Sequence, residues 1–218
     1  SGISHVFGVD VGIGLQIGVI IFVTCLAVIS VIRGIDGGVK VPSNANLLIA
    51  FALLLFVALV GFAITLNTLP TTLMGYIENI VPLSNPHGRE DETWMHGWTV
   101  FYWAWWISWS PCVGMFIARV SKGRTIREFI IAVIFIPTLI TLVWMSVFGG
   151  IAIDQVANKL GELGANGLTD ITLSLFNVYE ALPLSTMLSV ISIVLIMVFF
   201  ITSSDSASLV IDSITAGG

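Results

Sequence analysis

The sequence predicts an all-α polytopic membrane protein with about five transmembrane helices, and three observations lead there. The chain is 56% hydrophobic and only 10% charged, with a mean hydropathy of +1.02, whereas a soluble domain carries about 25% charged residues. The charges are grouped, leaving uncharged runs at 11–32, 41–77, 93–118, 129–153 and 181–204. Each run exceeds the roughly 18–20 apolar residues that cross a bilayer as a helix. The basic residues cluster as well: Arg33 and Lys40 in one connection, Arg119, Lys122, Arg124 and Arg127 in another. By the positive-inside rule both connections are cytoplasmic. The acidic connections holding Glu78, Glu90, Asp91 and Glu92, and then Asp154, Glu162, Asp170 and Glu180, face outside.

This alternation fits helices at about 13–32, 46–67, 97–118, 129–149 and 186–206. Alternating ten-residue segments, the mark of a membrane β-barrel, are missing from the sequence. The net charge of −5 matters less than its distribution, and no nucleic-acid partner is expected. Cys25 and Cys112 both fall inside predicted helices, so no disulfide framework is expected. His5, His87 and His96 do not pair at helical spacing, which argues against a haem-carrying subunit. There is no Gly-rich phosphate loop and no CxxC or HExxH metal spacing. With neither a starting Met nor a signal-peptide pattern, the chain is expected to be an internal piece of a larger protein.

The first helix ends at Arg33, before the turn "GIDGGVKVPSNAN". The second, "LLIAFALLLFVALVGFAITL", reads as scaffold or lipid contact. In 67–84, Leu69, Leu73, Ile77 and Val81 recur every four residues, with Thr72, Glu78 and Asn79 elsewhere. That stripe is too polar to span and predicts an amphipathic helix along the outer surface, about 68–82. Residues 151–185 form a second outer connection, with a short helix in "LTDITLSLFNVYEALPLS".

The third helix contains "WTVFYWAWWISWSPCVGMF", with five tryptophans between positions 98 and 109 and no charge. Trp94 and Trp98 suit an interfacial belt. Trp105, Trp106 and Trp109 lie roughly 10–18 Å deeper at 1.5 Å rise per residue, too deep for a belt. At 100° per residue, Trp98, Phe101, Tyr102, Trp105 and Trp109 share a face, with Trp106 at its edge. Ser108, Ser110 and Pro111 add a predicted helix break, since proline removes a backbone donor. Such a break belongs where it is buried or lines a cavity. An uncharged wall of rings suits a quaternary ammonium ligand held by cation–π attraction. A packing seam between helices is the other reading of the same residues.

"GWTVFYWAWWISWSP" followed by "VGMFIARVSKGRTIREF" resembles the signature of the betaine/choline/carnitine transporter (BCCT) family, and "VKVPSNAN" and "FFITSSDSAS" resemble two further conserved segments. The resemblance covers essentially the whole chain. It implies part of a LeuT-type fold of two inverted five-helix repeats, this chain matching the sixth to tenth membrane helices. It implies substrate-binding roles for Trp105, Trp106 and Trp109, with Phe101 beside them. It also implies a sodium site built from the Phe199 carbonyl and the hydroxyls of Thr202 and Ser203. Cys112 stands where the family usually has Phe, near a second ion site, a departure that bears on a second sodium and leaves the first untouched. The basic run "SKGRTIREF" sets topology and, by resemblance, can meet a regulatory tail or anionic lipid. A homotrimer in the bacterial inner membrane is a further implication.

Polar residues inside membrane helices are functional candidates by default, and Asp205 has two readings: a snorkelling or interface carboxylate, or a group that tunes the ion site or carries a proton. The expected function is sodium-coupled import of glycine betaine, choline or a similar osmoprotective trimethylammonium compound, without covalent chemistry and without a cofactor. A proton-coupled choline carrier and an ion-independent exchanger are alternatives. So is a non-transporting membrane scaffold subunit, in which the tryptophans form a seam.

Overall fold

A computed structural model describes residues 2–32, 40–85, 87–88, 90–168 and 170–216. The turn expected after the first spanning helix, Arg33 included, lies outside the described residues. Among those described, the chain is helical and contains no strand. In order come α1 (Gly2–Phe7), α2 (Ile13–Ile32), α3 (Lys40–Val60), α4 (Phe62–Ser84), α5 (Glu92–Trp94), α6 (Phe101–Val120), α7 (Ile126–Ile130), α8 (Ile136–Trp144), α9 (Gly150–Asn158), α10 (Gly161–Asn166), α11 (Ser174–Glu180) and α12 (Ser185–Thr215). Single π-turns join α5 to α6 (Met95–Val100), α7 to α8 (Ile131–Phe135) and α8 to α9 (Met145–Gly149).

Four helical stretches are long and apolar enough to cross a membrane: Ile13–Ile32, Val41–Val60, Ile126–Asn158 and Ser185–Asp212. The protein is an all-α polytopic membrane protein. The tryptophan helix α6 has comparable length, 20 residues. It is not among the four because its tryptophans, tyrosine and serines contribute little hydropathy. The boundary expected near residue 67 sits instead at Gly61, between α3 and α4. A Cβ on Gly61 would lie 2.6 Å from the Ile151 side chain, so glycine there lets α9 approach without moving that side chain. The stretch expected as a separate surface helix is the C-terminal two-thirds of α4.

The chain divides into two compact units. One comprises Ser1–Pro70 and Ile140–Asp205. Its core packs Leu53 and Val57 of α3 with Val147, Phe148 and Ile151 around α9, Leu163, Tyr179 of α11, and Leu188 and Leu195 of α12. Polar ties cross this core. Gln155 Nε2 donates to the Val178 carbonyl at 3.0 Å. The Thr68 hydroxyl lies 2.9 Å from the Ser146 carbonyl, inside the π-turn Met145–Gly149. The Ser146 carbonyl also accepts the Gly150 amide, so the Thr68 hydroxyl adds a second bond that ties α4 to the π-turn.

The other unit comprises Thr71–Leu139 and Ser206–Gly218. Its basic loop turns into α7 through a capping box: the Thr125 hydroxyl accepts from the Glu128 amide, and the Glu128 carboxylate accepts from the Thr125 amide at 2.9 Å. Pro137 removes the amide that would close the turn on Val133, and the π-turn Ile131–Phe135 lies just before it.

Tyr179 is fully buried and its hydroxyl is 2.8 Å from that of Ser192. Burial pushes its phenol up to about 12 against a smaller opposing effect of the Ser192 hydrogen bond. An unfolded tyrosine ionises near pH 10. This contribution to stability is therefore complete below about pH 10 and is lost as pH rises through about 12. Tyr179→Phe should lower stability by about 1–3 kcal/mol at neutral pH, because it strands the Ser192 hydroxyl. It should also remove this alkaline component; thermal unfolding of both proteins from pH 7 to 12 checks it.

Candidate functional site

The aromatic face of α6 lies wholly in the second unit. A helix places residues three and four apart on one side, and here the rings touch in series. Trp98 stacks on Tyr102 with centroids 5.9 Å apart and planes at 7°. Tyr102 meets Phe101 edge-on at 5.6 Å and Trp105 at 5.7 Å, while Phe101 and Trp105 are 6.3 Å apart. Offset and edge-on pairings are the arrangements that ring quadrupoles favour. A shallow groove opens here, lined by Phe101, Ala104, Trp105 and Ser108. Ala104 has no role in the sequence reading, yet its small side chain makes the room between the rings.

Within its unit this face is open. Trp105 is 47% exposed, Trp109 45% and Trp106 72%. Trp109 continues the face one turn beyond Trp105, and Trp106 projects from its edge. Cys112 is a half-buried free thiol.

The expected helix break at Ser108, Ser110 and Pro111 needs correction. The α-helix runs unbroken from Phe101 to Val120 with Pro111 inside it. Proline leaves the carbonyl four residues back, that of Ile107, without its amide. The Ser110 hydroxyl donates to that carbonyl at 2.9 Å, and the Ser108 hydroxyl donates to Trp105 at 2.8 Å. Ser110 thus completes the backbone that the proline interrupts. The irregular turn lies earlier, at Met95–Val100, where Gly97 sits between the two outermost membrane tryptophans.

Phe199, Thr202, Ser203 and Asp205 belong to the first unit, on α12. The Thr202 hydroxyl is half-buried and lies 3.1 Å from the Phe199 carbonyl and 3.0 Å from that of Val198. Two of the oxygens expected around a sodium ion are therefore neighbours. Ser203 is exposed on the adjoining position.

Asp205 differs from the snorkelling carboxylate that was one of its two readings. It is 1% exposed and accepts a hydrogen bond of 2.5 Å from Ser30 of α2. Helix α12 continues for ten residues beyond it, so a charge at 205 does not mark the helix end. Its other oxygen, Oδ1, is buried with no hydrogen-bond partner among the described residues. The sequence offered no signal for Ser30, which lies 175 residues away. Among the described residues no cluster of His, Cys, Asp or Glu could hold a metal ion.

The aromatic face and the polar helix segment are what a solute transporter of the membrane would present, and comparison with known proteins gives the class. The chain belongs to the BCCT family, the betaine/carnitine/choline transporters, whose model matches residues 1–218. It is 73% identical over its full length to a glycine betaine/proline/choline/ectoine transporter of Vibrio parahaemolyticus. It is 70% identical to glycine betaine transporter 1 of the same organism, and 42% identical to the glycine betaine transporter OpuD of Bacillus subtilis. The chain spans 39%, 42% and 43% of the length of these relatives, respectively. It is an integral membrane protein of that family.

If the serines rather than bulk packing hold α6 straight through Pro111, Ser110→Ala should loosen the helix around Ile107. The expected cost is about 1 kcal/mol, as for a neutral hydrogen bond. Faster amide exchange near residues 107–112, with the rest of α6 unaffected, is the checking measurement.

Proposed function

We propose that this chain forms the central part of a sodium-coupled importer of a quaternary ammonium compatible solute such as glycine betaine or choline. The observation that carries the reading is the uncharged, open aromatic face of α6 with its groove between Phe101 and Trp105. A trimethylammonium group donates no hydrogen bonds, so ring faces attract it where a carboxylate is not needed. Trp105, Trp106 and Trp109 would enclose that group, and Phe101 would close the box from the side. The relatives named for glycine betaine and choline support the substrate class.

Sodium would bind at the Phe199 carbonyl, Thr202 and Ser203. Phe199 and Thr202 offer two neighbouring oxygens, the Thr202 hydroxyl donating back to the Phe199 carbonyl at 3.1 Å, and hard cations prefer oxygen ligands. The ion would stabilise the loaded, outward-facing state. Its inward passage releases about 2.3 kcal/mol per 100 mV of membrane potential. Alternating access then follows from a shift between two states that the ligands bind unequally. The assembly would be a homotrimer in the cell membrane.

Two measurements test these assignments in the intact transporter. Tryptophan fluorescence titrated with glycine betaine should saturate, and Trp109→Ala should weaken binding about thirtyfold, the equivalent of about 2 kcal/mol of cation–π attraction. Unchanged affinity in the inserted, folded variant would return the rings to packing. Thr202→Ala with Ser203→Ala should raise the sodium concentration that half-saturates uptake about tenfold or more, at near-normal substrate affinity in saturating sodium. An unaltered sodium titration would place the ion elsewhere.

A further inference from the structure

Two buried side chains from other helices grip α12 on either side of the segment Phe199–Ser203. Before it, Asn46 of α3, 2% exposed, reaches the Leu195 carbonyl with its Nδ2 at 3.4 Å. In an α-helix that carbonyl also accepts the amide of the residue four positions on, here Phe199. After it, Ser30 in the last turns of α2 donates to Asp205 at 2.5 Å. Leu195, Phe199 and Thr202 fall within about 60° of one another around the helix. Asp205 lies three residues beyond Thr202, next to it on the helix surface. All of these residues belong to one compact unit, whose stretch of α12 ends at Asp205.

The energetics favour a fixed geometry. Asp205, Asn46 and Ser30 are each less than a tenth exposed. A hydrogen bond to a polar group gains strength where water is absent, and breaking it strands the buried Ser30 hydroxyl or Asn46 amide nitrogen. The Ser30 bond joins two side chains, whereas the Asn46 bond is long at 3.4 Å and made to a shared carbonyl. The polarity of Ser30 and Asn46 is expensive inside a membrane helix bundle, and its return is a defined rotation and height for α12.

We infer that Ser30 and Asn46 are positioning residues for the ion segment: they hold α12 from α2 and α3 so that the Phe199 carbonyl and the Thr202 and Ser203 hydroxyls stay in ligating register. The inference rests on the sodium reading given above. Sodium tolerates little misplacement among its few oxygen ligands, so loosening the grip lowers ion affinity first. The aromatic box on α6 does not depend on either bond, and solute affinity at saturating sodium is left alone.

The test uses the full-length transporter in proteoliposomes, with Ser30→Ala, Ser30→Cys, Ser30→Thr and Asn46→Ala. For each, three quantities are read: the half-saturating sodium concentration for glycine betaine uptake, the glycine betaine affinity in saturating sodium, and the unfolding temperature. Ser30→Ala is expected to raise the sodium midpoint about tenfold and Asn46→Ala about threefold, by the usual worth of charged and neutral hydrogen bonds. Ser30→Thr keeps the hydroxyl and should stay near wild type. Ser30→Cys keeps the size with a weak donor, so it should fall between and serves if the alanine variant fails to fold. Combined with Thr202→Ala and Ser203→Ala, Ser30→Ala should add no further shift.

A lowered unfolding temperature with an unmoved sodium midpoint would reduce Ser30 and Asn46 to packing and overturn the inference. Fully additive shifts in the combined variant would overturn it too. Failure of the underlying ion reading is seen separately, in the Thr202→Ala, Ser203→Ala protein alone.

Discussion

Backbone amides and carbonyls inside this chain's spanning segments must find partners within the protein, because the apolar medium implied by its composition offers none. An unsatisfied amide or carbonyl there costs several kcal/mol. That constraint explains why the described chain is helical throughout and why its irregular points carry hydroxyls. The carbonyl left by Pro111 is taken by Ser110. The carbonyl in the π-turn at Met145–Gly149 has the Thr68 hydroxyl beside it. The carboxylate of Asp205 is met by Ser30. At Pro111 a small hydroxyl residue thus repairs a backbone defect at little volume, and at the other two places a hydroxyl ties one helix to another. The helices can then approach closely, as they do at Gly61 and Gly150, where a Cβ would strike Ile151 and Thr68.

The same constraint shapes how the chain meets a cation. A carboxylate facing the groove of α6 would itself have to be desolvated, at a cost of several kcal/mol. Aromatic faces carry partial negative character without a formal charge, so they can stand open in an apolar setting. The rings from Trp98 to Trp105 brace one another by stacking and edge contacts. A braced wall loses little freedom when a ligand arrives, which preserves most of the attraction for binding.

Most of the helical architecture could be read from charge spacing alone. The run 13–32 coincides with α2, because charges or turn residues bound it on both sides. Where a boundary depended on distant partners, the reading failed in a particular direction. The charge pattern predicts a helix ending near 206, one residue past Asp205, whereas α12 runs to Thr215 and Asp205 is buried against Ser30 of α2. Pro111 was taken as a break, and the neighbouring serine that cancels it was counted as part of the break. The three π-turns leave no period in the sequence, since each inserts one residue into an otherwise helical pattern. The tryptophan face was legible because it depends only on spacing within one helix. The Ser30 and Asn46 bonds were not, because they depend on which helices pack together.

On the proposed reading, the division of labour between rings and ion has a physical logic. A transporter must release what it binds on every cycle, so tight capture of the solute in both states is useless. Rings supply a few kcal/mol that do not change sign or vanish with small movements. A sodium site of fixed oxygens is the opposite: its affinity collapses when α12 shifts or rotates slightly. The solute can therefore be held moderately in both states while the ion discriminates between them. Differential affinity, not affinity itself, is what moves a two-state equilibrium. A buried carboxyl–hydroxyl bond next to the ion segment puts rigidity where discrimination is needed.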